Sequence, residues 1–351
     1  MRRVGVVVKY YPPLERVSGI IGFLRVLDRA LAGRCELHVI TSRSWGDDKF
    51  LTLDGHAVHR CAGIFPVAAG HKARSLDLDG IVFVSGIYDQ RKAAPYVEAF
   101  SLALRRSSAR RIFLQATHVD GRGNRFFVRA LSRFESVLAT STSLRDQLAG
   151  QLGRPVGLLL PGVDVPDQAT ESEGLTIGFV NHLNRVKGAD IALDLIRDAL
   201  DREPRLTAII AGTGEFEEEA RHRFEGDERV TVKGFLDEVD LLETLGDCDI
   251  MLLPFRTGVS VLGISQTALE VMAAGNVVIG SDVAPLAEAV EHDVTGLLGP
   301  VDGLGELLRA VLDDDERRRA LGTAARDDVL RRWNIQDRAE QVVALFDGSG
   351  S

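Results

Sequence analysis

The segment that decides the fold is Pro254–Gly275, PFRTGVSVLGISQTALEVMAAG. An unbroken apolar run, Ile250–Leu253, predicts a buried strand directly before it, and a loop rich in Gly, Ser and Thr follows. A helix is predicted to begin near Ser265–Gln266, because Leu269 and Met272 lie on one apolar face at helical spacing. The first amides of a helix have no partner within the helix, so this strand–loop–helix junction is expected to bind an anion.

The candidate ligand-binding residues at this junction surround the predicted helix start. Ile264 precedes it, and the backbone amides of Ser265, Gln266 and Thr267 are expected to point at a phosphate. Glu270 follows one turn into the helix, where a carboxylate suits two adjacent hydroxyls of a ribose. The alternative for Glu270 is an ordinary exposed helical glutamate.

A second strand–loop–helix junction lies upstream and carries a cation. The strand pattern Leu175–Val180 is followed by NHLNRVKG, residues 181–188, and then by a helical pattern. Lys187 beside a glycine can meet a phosphate together with free helix amides, and His182 could approach the same ligand. The alternative is a solvated lysine in a surface loop.

Two shorter glycine signals follow the next predicted strands. Gly212-Thr213-Gly214 comes after Thr207–Ala211, and Gly234-Phe235 comes after Arg229–Val232. Glycines let a backbone pass close to a ligand, and the loop at Phe235 could face a nucleobase. A tight turn is the commoner explanation for Gly212, and no third glycine completes a dinucleotide-binding fingerprint.

Strands and helices alternate along the whole chain, which predicts α/β architecture with parallel sheets. A polar linker near Asp167–Gly174 separates two such series, so we predict two doubly wound, Rossmann-like domains, 1–170 and 171–330. A closing helix within 331–351 could pack back on the N-terminal domain. Residues 42–79 form the least regular stretch and are expected to be a long loop. In open α/β sheets, ligands bind at the carboxyl ends of the strands.

Composition predicts a globular protein of the reducing cytoplasm. The 351 residues are 45% hydrophobic and 26% charged. No apolar run reaches the roughly 18 residues that span a bilayer, and the first residues lack the pattern of a signal peptide. Cys35, Cys61 and Cys248 have neither disulfide nor zinc spacing, and each is expected to be a small buried residue.

Charge is divided unevenly between the two halves. Residues 1–170 carry 24 Lys and Arg against 15 Asp and Glu, whereas residues 171–351 carry 18 against 36. Eight arginines between Arg105 and Arg133 accompany a short aromatic and aliphatic cluster, Phe126, Phe127, Val128 and Leu131. This segment could be an amphipathic face at an anionic membrane, could attract an acidic acceptor, or could be a packed helix with solvated arginines. Nucleic acid is not expected, because no binding motif accompanies the charge.

Taken in order, these motifs resemble those of the retaining glycosyltransferases of GT-B fold, specifically the large GT4-like group. The resemblance extends to the N-terminal half. There, Tyr10-Tyr11-Pro12-Pro13 followed by Gly19 is similar to the family's opening loop, and Thr117-His118 is similar to its N-domain histidine. Leu160–Asp164 resembles the interdomain segment of that family. The resemblance implies two Rossmann-like domains facing each other across a cleft, with the acceptor on the first and a nucleotide sugar on the second.

The resemblance also implies a role for individual residues. Lys187 would bind the diphosphate and Glu270 the ribose hydroxyls, whereas Gly19 and His118 would lie close to the donor sugar. His118, Lys187 and Glu270 would be the catalytic residues. The remaining donor contacts would come from the helix start and the glycine loops, at His182, Gly212, Gly234, Phe235, Ile264, Ser265, Gln266 and Thr267.

The activity implied is metal-independent, front-face transfer of a hexose from a nucleotide-diphosphate sugar to an acceptor hydroxyl. No cofactor is expected beyond the donor, for which a UDP-sugar is favoured over a GDP-sugar. The acceptor would be a small molecule, a glycan or a lipid-linked molecule, and it could be anionic. The basic N-terminal domain could make peripheral contact with the cytoplasmic face of a membrane. Asp313-Asp314-Asp315 is interpreted as a helix start and not as a metal motif.

Two departures from the family pattern affect these expectations. The family has Gly and Arg where this chain has Asn181 and His182, so diphosphate binding is expected to depend more on Lys187. The first glutamate of the family's Glu-x7-Glu pattern is replaced by Leu262. Its loss leaves two alternatives open, a nucleotide-sugar-binding protein without turnover and a GT-B-like epimerase.

Overall fold

The structure is a computed structural model, and it describes residues 1–11, 19–43, 50–53, 55–87, 89–117, 119–120, 123–169, 174–256 and 264–347. The chain divides into two compact units. Among the described residues, the N-terminal unit comprises those within 1–162 and 335–347, and the C-terminal unit those within 163–256 and 264–334. Val163 is held by its amide, which donates to the carbonyl of Trp333 over 2.9 Å. The units therefore divide at 162, whereas the linker composition had suggested 170.

The N-terminal unit is built on an eight-stranded sheet in the order β3-β4-β2-β1-β5-β6-β7-β8. All neighbours pair in parallel except β3 and β4, which are antiparallel. Its strands are β1 (Arg3–Val7), β2 (Glu36–Ser42), β3 (Phe50–Leu53), β4 (His56–Cys61), β5 (Gly80–Ser85), β6 (Arg110–Gln115), β7 (Ser136–Ala139) and β8 (Gly157–Leu158). Its helices are α1 (Gly19–Leu31), α2 (Phe65–Ser75), α3 (Gln90–Ala103), α4 (Arg125–Leu131), α5 (Thr142–Leu152) and, from the end of the chain, α13 (Ile335–Asp347).

The expectation of an irregular loop over 42–79 was wrong. β3, β4 and α2 lie in this stretch, and the two strands extend the sheet at one edge. The apolar signal was hidden because β4 places three polar side chains, His56, His59 and Arg60, in buried positions. Strict apolar alternation is therefore absent from a strand that is nevertheless buried.

The closing helix α13 packs within the N-terminal unit. Ile335, Ala339, Val342 and Phe346 recur at intervals of four, three and four residues, and all four are buried in the same core as α1 and β1. Phe346 lies against Gly80 so closely that a Cβ there would collide with its ring. The apolar stripe of α13 thus completes one layer of the N-terminal sheet.

The C-terminal unit is built on a six-stranded parallel sheet in the order β11-β10-β9-β12-β13-β14. The strands are β9 (Leu175–Val180), β10 (Leu206–Ala211), β11 (Val230–Lys233), β12 (Ile250–Leu253), β13 (Val277–Ser281) and β14 (Leu297–Gly299). The helices are α6 (Ala189–Arg202), α7 (Glu217–Arg223), α8 (Glu238–Gly246), α9 (Gln266–Ala273), α10 (Ala284–Ala287), α11 (Leu304–Leu312) and α12 (Asp315–Arg332). Parallel strands buried on both faces explain the continuous apolar runs of β9 and β12.

Candidate functional site

The loops that follow the strands of the C-terminal unit are joined to one another by backbone hydrogen bonds. The amide of Leu183, after β9, donates to the carbonyl of Thr213, after β10, over 3.0 Å. The amide of Gly212 donates to the carbonyl of Gly234, after β11, over 2.9 Å. The amide of Arg256, after β12, donates to Val186 over 3.1 Å. The carboxyl edge of the sheet is therefore one continuous backbone platform.

Glycine is required at two positions of this platform. Gly188 adopts φ 71° and Gly212 adopts φ 126°, conformations that L side chains rarely adopt. A Cβ at Gly188 would collide with the carbonyl oxygen of Pro254, and one at Gly212 with that of Asn181. The two glycines thus allow neighbouring loops to approach each other, so loop packing accounts for Gly212 without a ligand.

Lys187 lies at the centre of the platform, in the turn that leads into α6. Its amide donates to the Asn184 side chain over 2.9 Å, and its Nζ lies 4.2 Å from the centre of the Phe255 ring. Burial lowers the pKa of its ammonium from 10.5 to about 8. Within the part of the chain that the structure describes, no carboxylate forms an ion pair with it. A partly desolvated cation over an aromatic face, without a counter-ion, favours an anionic ligand.

The two arginines near Lys187 share one carboxylate. Asp190, in the first turn of α6, pairs with Arg256 and lies 3.9 Å from Arg185. Asp190 is already engaged by these guanidiniums, so it does not neutralise Lys187. The local balance of charge around this junction is positive.

The start of α9 differs from the expectation at one residue. Ser265 is the N-cap, and its hydroxyl accepts a hydrogen bond from the amide of Ala268 over 3.3 Å. The amide of Ser265 donates to the carbonyl of Pro285 over 2.9 Å. The prediction that this amide points at a phosphate was therefore wrong, because the N-cap amide lies outside the helix and is bound to α10. The amide of Thr267 has no protein acceptor among the described residues.

The other predicted donor-binding residues of the C-terminal unit occupy varied environments. Glu270 is half-buried, one turn into α9. His182 is exposed beside the platform, and Phe235 exposes 49% of its surface at the end of β11. Ile264 is fully buried, so its side chain belongs to the interior. Because β9 and β12 are neighbours, the sheet brings the loop of Lys187 and the residues Pro254–Arg256 after β12 to one edge.

The predicted site residues of the N-terminal half are described only in part. Gly19 is the first residue of α1. His118 lies outside the described residues, as does Leu262. Their roles stay predictions that rest on the resemblance.

Sequence reasoning missed a buried polar network at the end of β1. The Tyr11 hydroxyl donates to the carboxylate of Asp28 in α1, and His56 Nε2 lies 2.7 Å from the Asp28 carbonyl. All three residues are buried. Tyr11 and Asp28 are 17 residues apart and Asp28 and His56 are 28 apart, so no local sequence pattern predicts these contacts. Asp28, a polar residue at an apolar position of the helix pattern, was the one indication of a buried polar group.

The basic segment of the N-terminal half is only in part a free surface. Phe127 and Leu131 are fully buried, so the aromatic and aliphatic cluster is chiefly core. Arg133 pairs with Glu98, and Arg111 donates to the carbonyls of Leu104 and Ser107. This agrees with the alternative of a packed helix, in which Phe126 is the member that stays exposed, at 59%, and contact with a membrane stays a prediction.

The cysteines described as buried have no reactive character. Burial raises the pKa of the Cys35 thiol to about 11 and that of Cys248 to about 12. Both are buried and neither forms a disulfide, which confirms the expectation for these two. Cys61 is only half-buried, so the expectation that each cysteine is buried was wrong there. Among the described residues, no helix has the length and apolar character to cross a bilayer.

The sequence of the C-terminal unit matches a known protein family. The family model described as glycosyl transferases group 1 matches residues 164–328. A GDP-mannose-dependent monoacylated phosphatidylinositol monomannoside mannosyltransferase of Corynebacterium glutamicum is 34% identical over 46% of this chain and 44% of its own length. A GDP-mannose-dependent phosphatidylinositol monomannoside mannosyltransferase of Mycobacterium tuberculosis is 27% identical over 60% of this chain and 61% of its own length. The chain thus spans about half the length of these curated relatives.

Solved structures share the fold over nearly the whole chain. HepE of Anabaena, crystallised with UDP-glucose, has a TM-score of 0.74 at 16% identity and covers 99% of this chain and 100% of its own. Sucrose-phosphate synthase of Thermosynechococcus elongatus has a TM-score of 0.75 at 16% identity, covering 99% and 98%. With two parallel-sheet α/β units and these neighbours, the GT-B fold class expected from the sequence is confirmed, and residues 164–328 match the model of the group 1 glycosyltransferases.

Proposed function

We propose that this protein transfers a hexose from a nucleotide-diphosphate sugar to an acceptor hydroxyl. The observation that carries the proposal is Lys187, a half-buried ammonium without a carboxylate partner among the described residues, set in a platform of interlocked backbone. Holding that charge in place costs free energy, which a bound diphosphate would recover. The group 1 family match over this unit supports the same ligand class.

The reaction proposed is a front-face displacement with retention at the anomeric carbon. The bond from the acceptor oxygen to that carbon forms as the bond from the carbon to the diphosphate oxygen breaks. The acceptor proton passes to the departing phosphate oxygen. Lys187 and the Thr267 amide stabilise the negative charge that develops on the diphosphate, so the proposed reaction needs no metal ion.

Glu270 is proposed to hold the ribose of the nucleotide. Its carboxylate is half-buried on α9, one turn from the helix start that would face the phosphates. A carboxylate can accept hydrogen bonds from both ribose hydroxyls at once. His118 is proposed to contact the donor sugar, on the resemblance alone.

For the donor, we propose a nucleotide-diphosphate hexose and name two candidates. The relatives found by sequence are GDP-mannose-dependent enzymes, and HepE binds UDP-glucose. Because the relatives are closer in sequence than HepE, GDP-mannose is the first donor to test. The preference for UDP that the sequence suggested stays a prediction, and the same assay compares the two.

For the acceptor, we propose a hydroxyl on a glycan or lipid-linked molecule. The relatives act on phosphatidylinositol mannosides, as their names state. We also propose a cytoplasmic protein that touches the membrane peripherally through its basic N-terminal unit.

Binding comes first in the test. A thermal-shift screen against UDP, GDP, ADP, CMP and their sugars would identify the donor, since a ligand of the native state raises its melting temperature. We expect one diphosphate sugar to shift the melt of the wild type, and Glu270→Ala to reduce its affinity about tenfold or more, as for the loss of a charge-assisted pair of hydrogen bonds. Glu306→Ala, at an exposed glutamate of α11, is the matched control.

Turnover is tested next with the donor so identified. Nuclear magnetic resonance of the anomeric proton distinguishes retention from inversion, and activity in excess chelator tests metal independence. A donor that binds but is neither hydrolysed nor transferred would support the binding-protein alternative. If no nucleotide shifts the melt, the proposed function is wrong.

A further inference from the structure

A groove lies in the N-terminal unit, whereas Lys187, Thr267 and Glu270 belong to the C-terminal unit. It runs between α3 and α4 and has a volume of about 610 Å³, within the usual range of ligand pockets, about 300–1,000 Å³. We call it the α3–α4 groove, and it is lined by Arg91, Ala94, Pro95, Glu98, Asn124, Phe126 and Arg129. Both helices begin after strands of the parallel sheet, β5 and β6, so the groove adjoins the sheet edge where loops and ligands meet.

The groove carries two arginines without anionic partners. Arg91 and Arg129 are exposed, and neither guanidinium makes an ion pair or hydrogen bond with a residue that the structure describes. The one carboxylate of the lining, Glu98, is held by Arg133 in a two-pronged pair that includes a 2.9 Å hydrogen bond. Since Glu98 is neutralised from outside the lining, the groove presents a positive charge that its own residues leave uncompensated.

Arg91 is the second residue of α3. Its amide donates to the carboxylate of the N-cap residue, Asp89, over 2.9 Å, so the acidic group at this helix start is engaged by the backbone. The Arg91 guanidinium pairs with none of the described carboxylates.

The remaining lining of the groove is apolar. Phe126 leaves 59% of its surface exposed and Pro95 is exposed, whereas Ala94 is buried. The Arg125 guanidinium lies 5.0 Å from the centre of the Phe126 ring and holds the ring at the rim. A free phosphate would use the arginines but would leave this apolar wall in water, whereas an amphiphile would use both.

We propose that the α3–α4 groove binds a phosphate-bearing amphiphile, with Arg91 and Arg129 on the phosphate and Phe126 against the first carbons of its apolar tail. Charge complementarity and the mixed wall select this class of ligand over a neutral sugar or a free anion. The binding is independent of the donor site, and its use as the acceptor site rests on the transferase function proposed above.

The test is direct binding of dihexanoyl phosphatidic acid, below its micelle concentration, to the full chain by isothermal titration calorimetry. Glycerol 3-phosphate supplies the phosphate without the tails, and dihexanoylglycerol supplies the tails without the phosphate. We expect saturable binding of the lipid phosphate and at least tenfold weaker binding of either fragment. Glycerol 3-phosphate that binds as tightly as the lipid would show a free-anion site and overturn the proposal, as would the absence of saturable lipid binding.

Variants locate the binding within the groove. Arg91→Gln and Arg129→Gln are each expected to weaken lipid binding about tenfold, the effect of one charge-assisted contact. Phe126→Ser is expected to weaken binding of the lipid but not of glycerol 3-phosphate. Arg106→Gln, at an exposed arginine beyond the far end of α3, is the matched control and should change nothing. Lipid affinity that is the same in Arg91→Gln and Arg129→Gln as in the wild type would contradict the assignment.

Donor binding is measured in the same variants and separates the two proposals. Donor affinity is expected to be unchanged in Arg91→Gln, Arg129→Gln and Phe126→Ser, with melting temperatures close to that of the wild type. Loss of lipid binding with donor binding retained would support the groove assignment. If the wild type binds a nucleotide sugar and no lipid phosphate, the groove proposal fails and the donor proposal stands.

Discussion

The two units differ in what is added to the backbone hydrogen bonds between their strands and loops. In the C-terminal unit, glycines let neighbouring loops touch, as at Gly188 and Gly212. In the N-terminal unit, backbone hydrogen bonds such as that from Ala116 to Ser85 are accompanied by a buried side-chain contact between distant residues, Tyr11 and Asp28. A site held by backbone tolerates changes of side chain, whereas a site held by side chains can be altered one residue at a time.

This difference suits the two ligands that the protein is proposed to bind. A nucleotide diphosphate presents the same phosphates and ribose whichever sugar it carries, so a fixed backbone platform serves it. Acceptors vary in shape and charge, so a groove lined by side chains, such as Arg91 and Phe126, can be tuned separately. Substitutions test this comparison: an added Cβ in the backbone platform of the C-terminal unit, and a removed side-chain hydrogen bond in the N-terminal unit.

The largest effect is expected from a single methyl group in the backbone platform. Gly188→Ala adds a Cβ that collides with the Pro254 carbonyl at a φ of 71°. We expect a loss of about 3 kcal/mol in the free energy of unfolding, from strain and overpacking together. Donor affinity should fall as well, because Lys187 is the adjacent residue. Denaturation followed by Trp333 fluorescence in a Trp45→Phe background reports the C-terminal unit, in which Trp333 is buried.

The matched control for this change is Gly226→Ala. Gly226 also has a positive φ, 78°, in the same unit, but nothing lies within 4 Å of an added Cβ. Its cost should be limited to backbone strain of about 1 kcal/mol, with donor affinity unchanged. Equal losses of stability in the two variants would contradict the claim that the loops are locked against each other.

A smaller effect is expected from the side-chain network of the N-terminal unit. Tyr11→Phe removes the hydroxyl that donates to the buried Asp28 carboxylate. We expect a loss of about 2 kcal/mol, the cost of one lost hydrogen bond to a buried charged group. Calorimetric unfolding measures it, and donor affinity should be unchanged because the network belongs to the other unit.

Tyr10→Phe serves as the control at the neighbouring position. Tyr10 is 38% exposed, and its ring, which the Lys9 ammonium overlies at 4.9 Å, is kept by the substitution. Stability should change by about 0.5 kcal/mol or less. A drop in donor affinity in Tyr11→Phe, with Tyr10→Phe unaffected, would show that the two units do not bind their ligands independently.

The smallest effect is expected at the N-cap of α9. Ser265→Ala removes the hydroxyl that accepts from the Ala268 amide and should cost about 1 kcal/mol of stability. Donor affinity should change less than threefold, because the Ser265 amide is engaged by Pro285 in any case. Ser141→Ala, at the equivalent cap of α5 in the N-terminal unit, should cost a similar amount. A tenfold loss of donor affinity in Ser265→Ala, but not in Ser141→Ala, would show that Ser265 contacts the phosphates after all.

The sequence predicted most where the structure is local. Continuous apolar runs located β9 and β12, and the helical pattern placed the start of α9 at Ser265–Gln266, where it is found. The position of Lys187 in a strand–loop–helix turn also follows from the sequence alone. These features depend on residues that are close together in the chain, so their patterns can be read directly.

The sequence predicted less where contacts join distant segments. The amide of Ser265 is bound to Pro285, twenty residues away, and no local pattern shows that contact. Because β4 has buried histidines, it lacks the apolar alternation of a strand and was predicted as part of a loop. Phe127 and Phe126 are adjacent, yet one is core and the other exposed, because the helix turns by about 100° per residue. Tertiary packing decides each of these cases.

The most direct test of the central claim is the affinity for a nucleotide sugar as a function of pH. Burial holds the pKa of Lys187 at about 8, so its ammonium loses its proton as the pH rises through that value. A bound diphosphate favours the charged form, so binding takes up a proton above pH 8. Calorimetry between pH 7 and 9 at constant ionic strength should show affinity constant below about pH 8 and falling above it, by at most about tenfold per pH unit. Lys187→Arg should abolish this dependence because the guanidinium stays charged, whereas an equal affinity for Lys187→Met and the wild type at pH 7 would contradict the account.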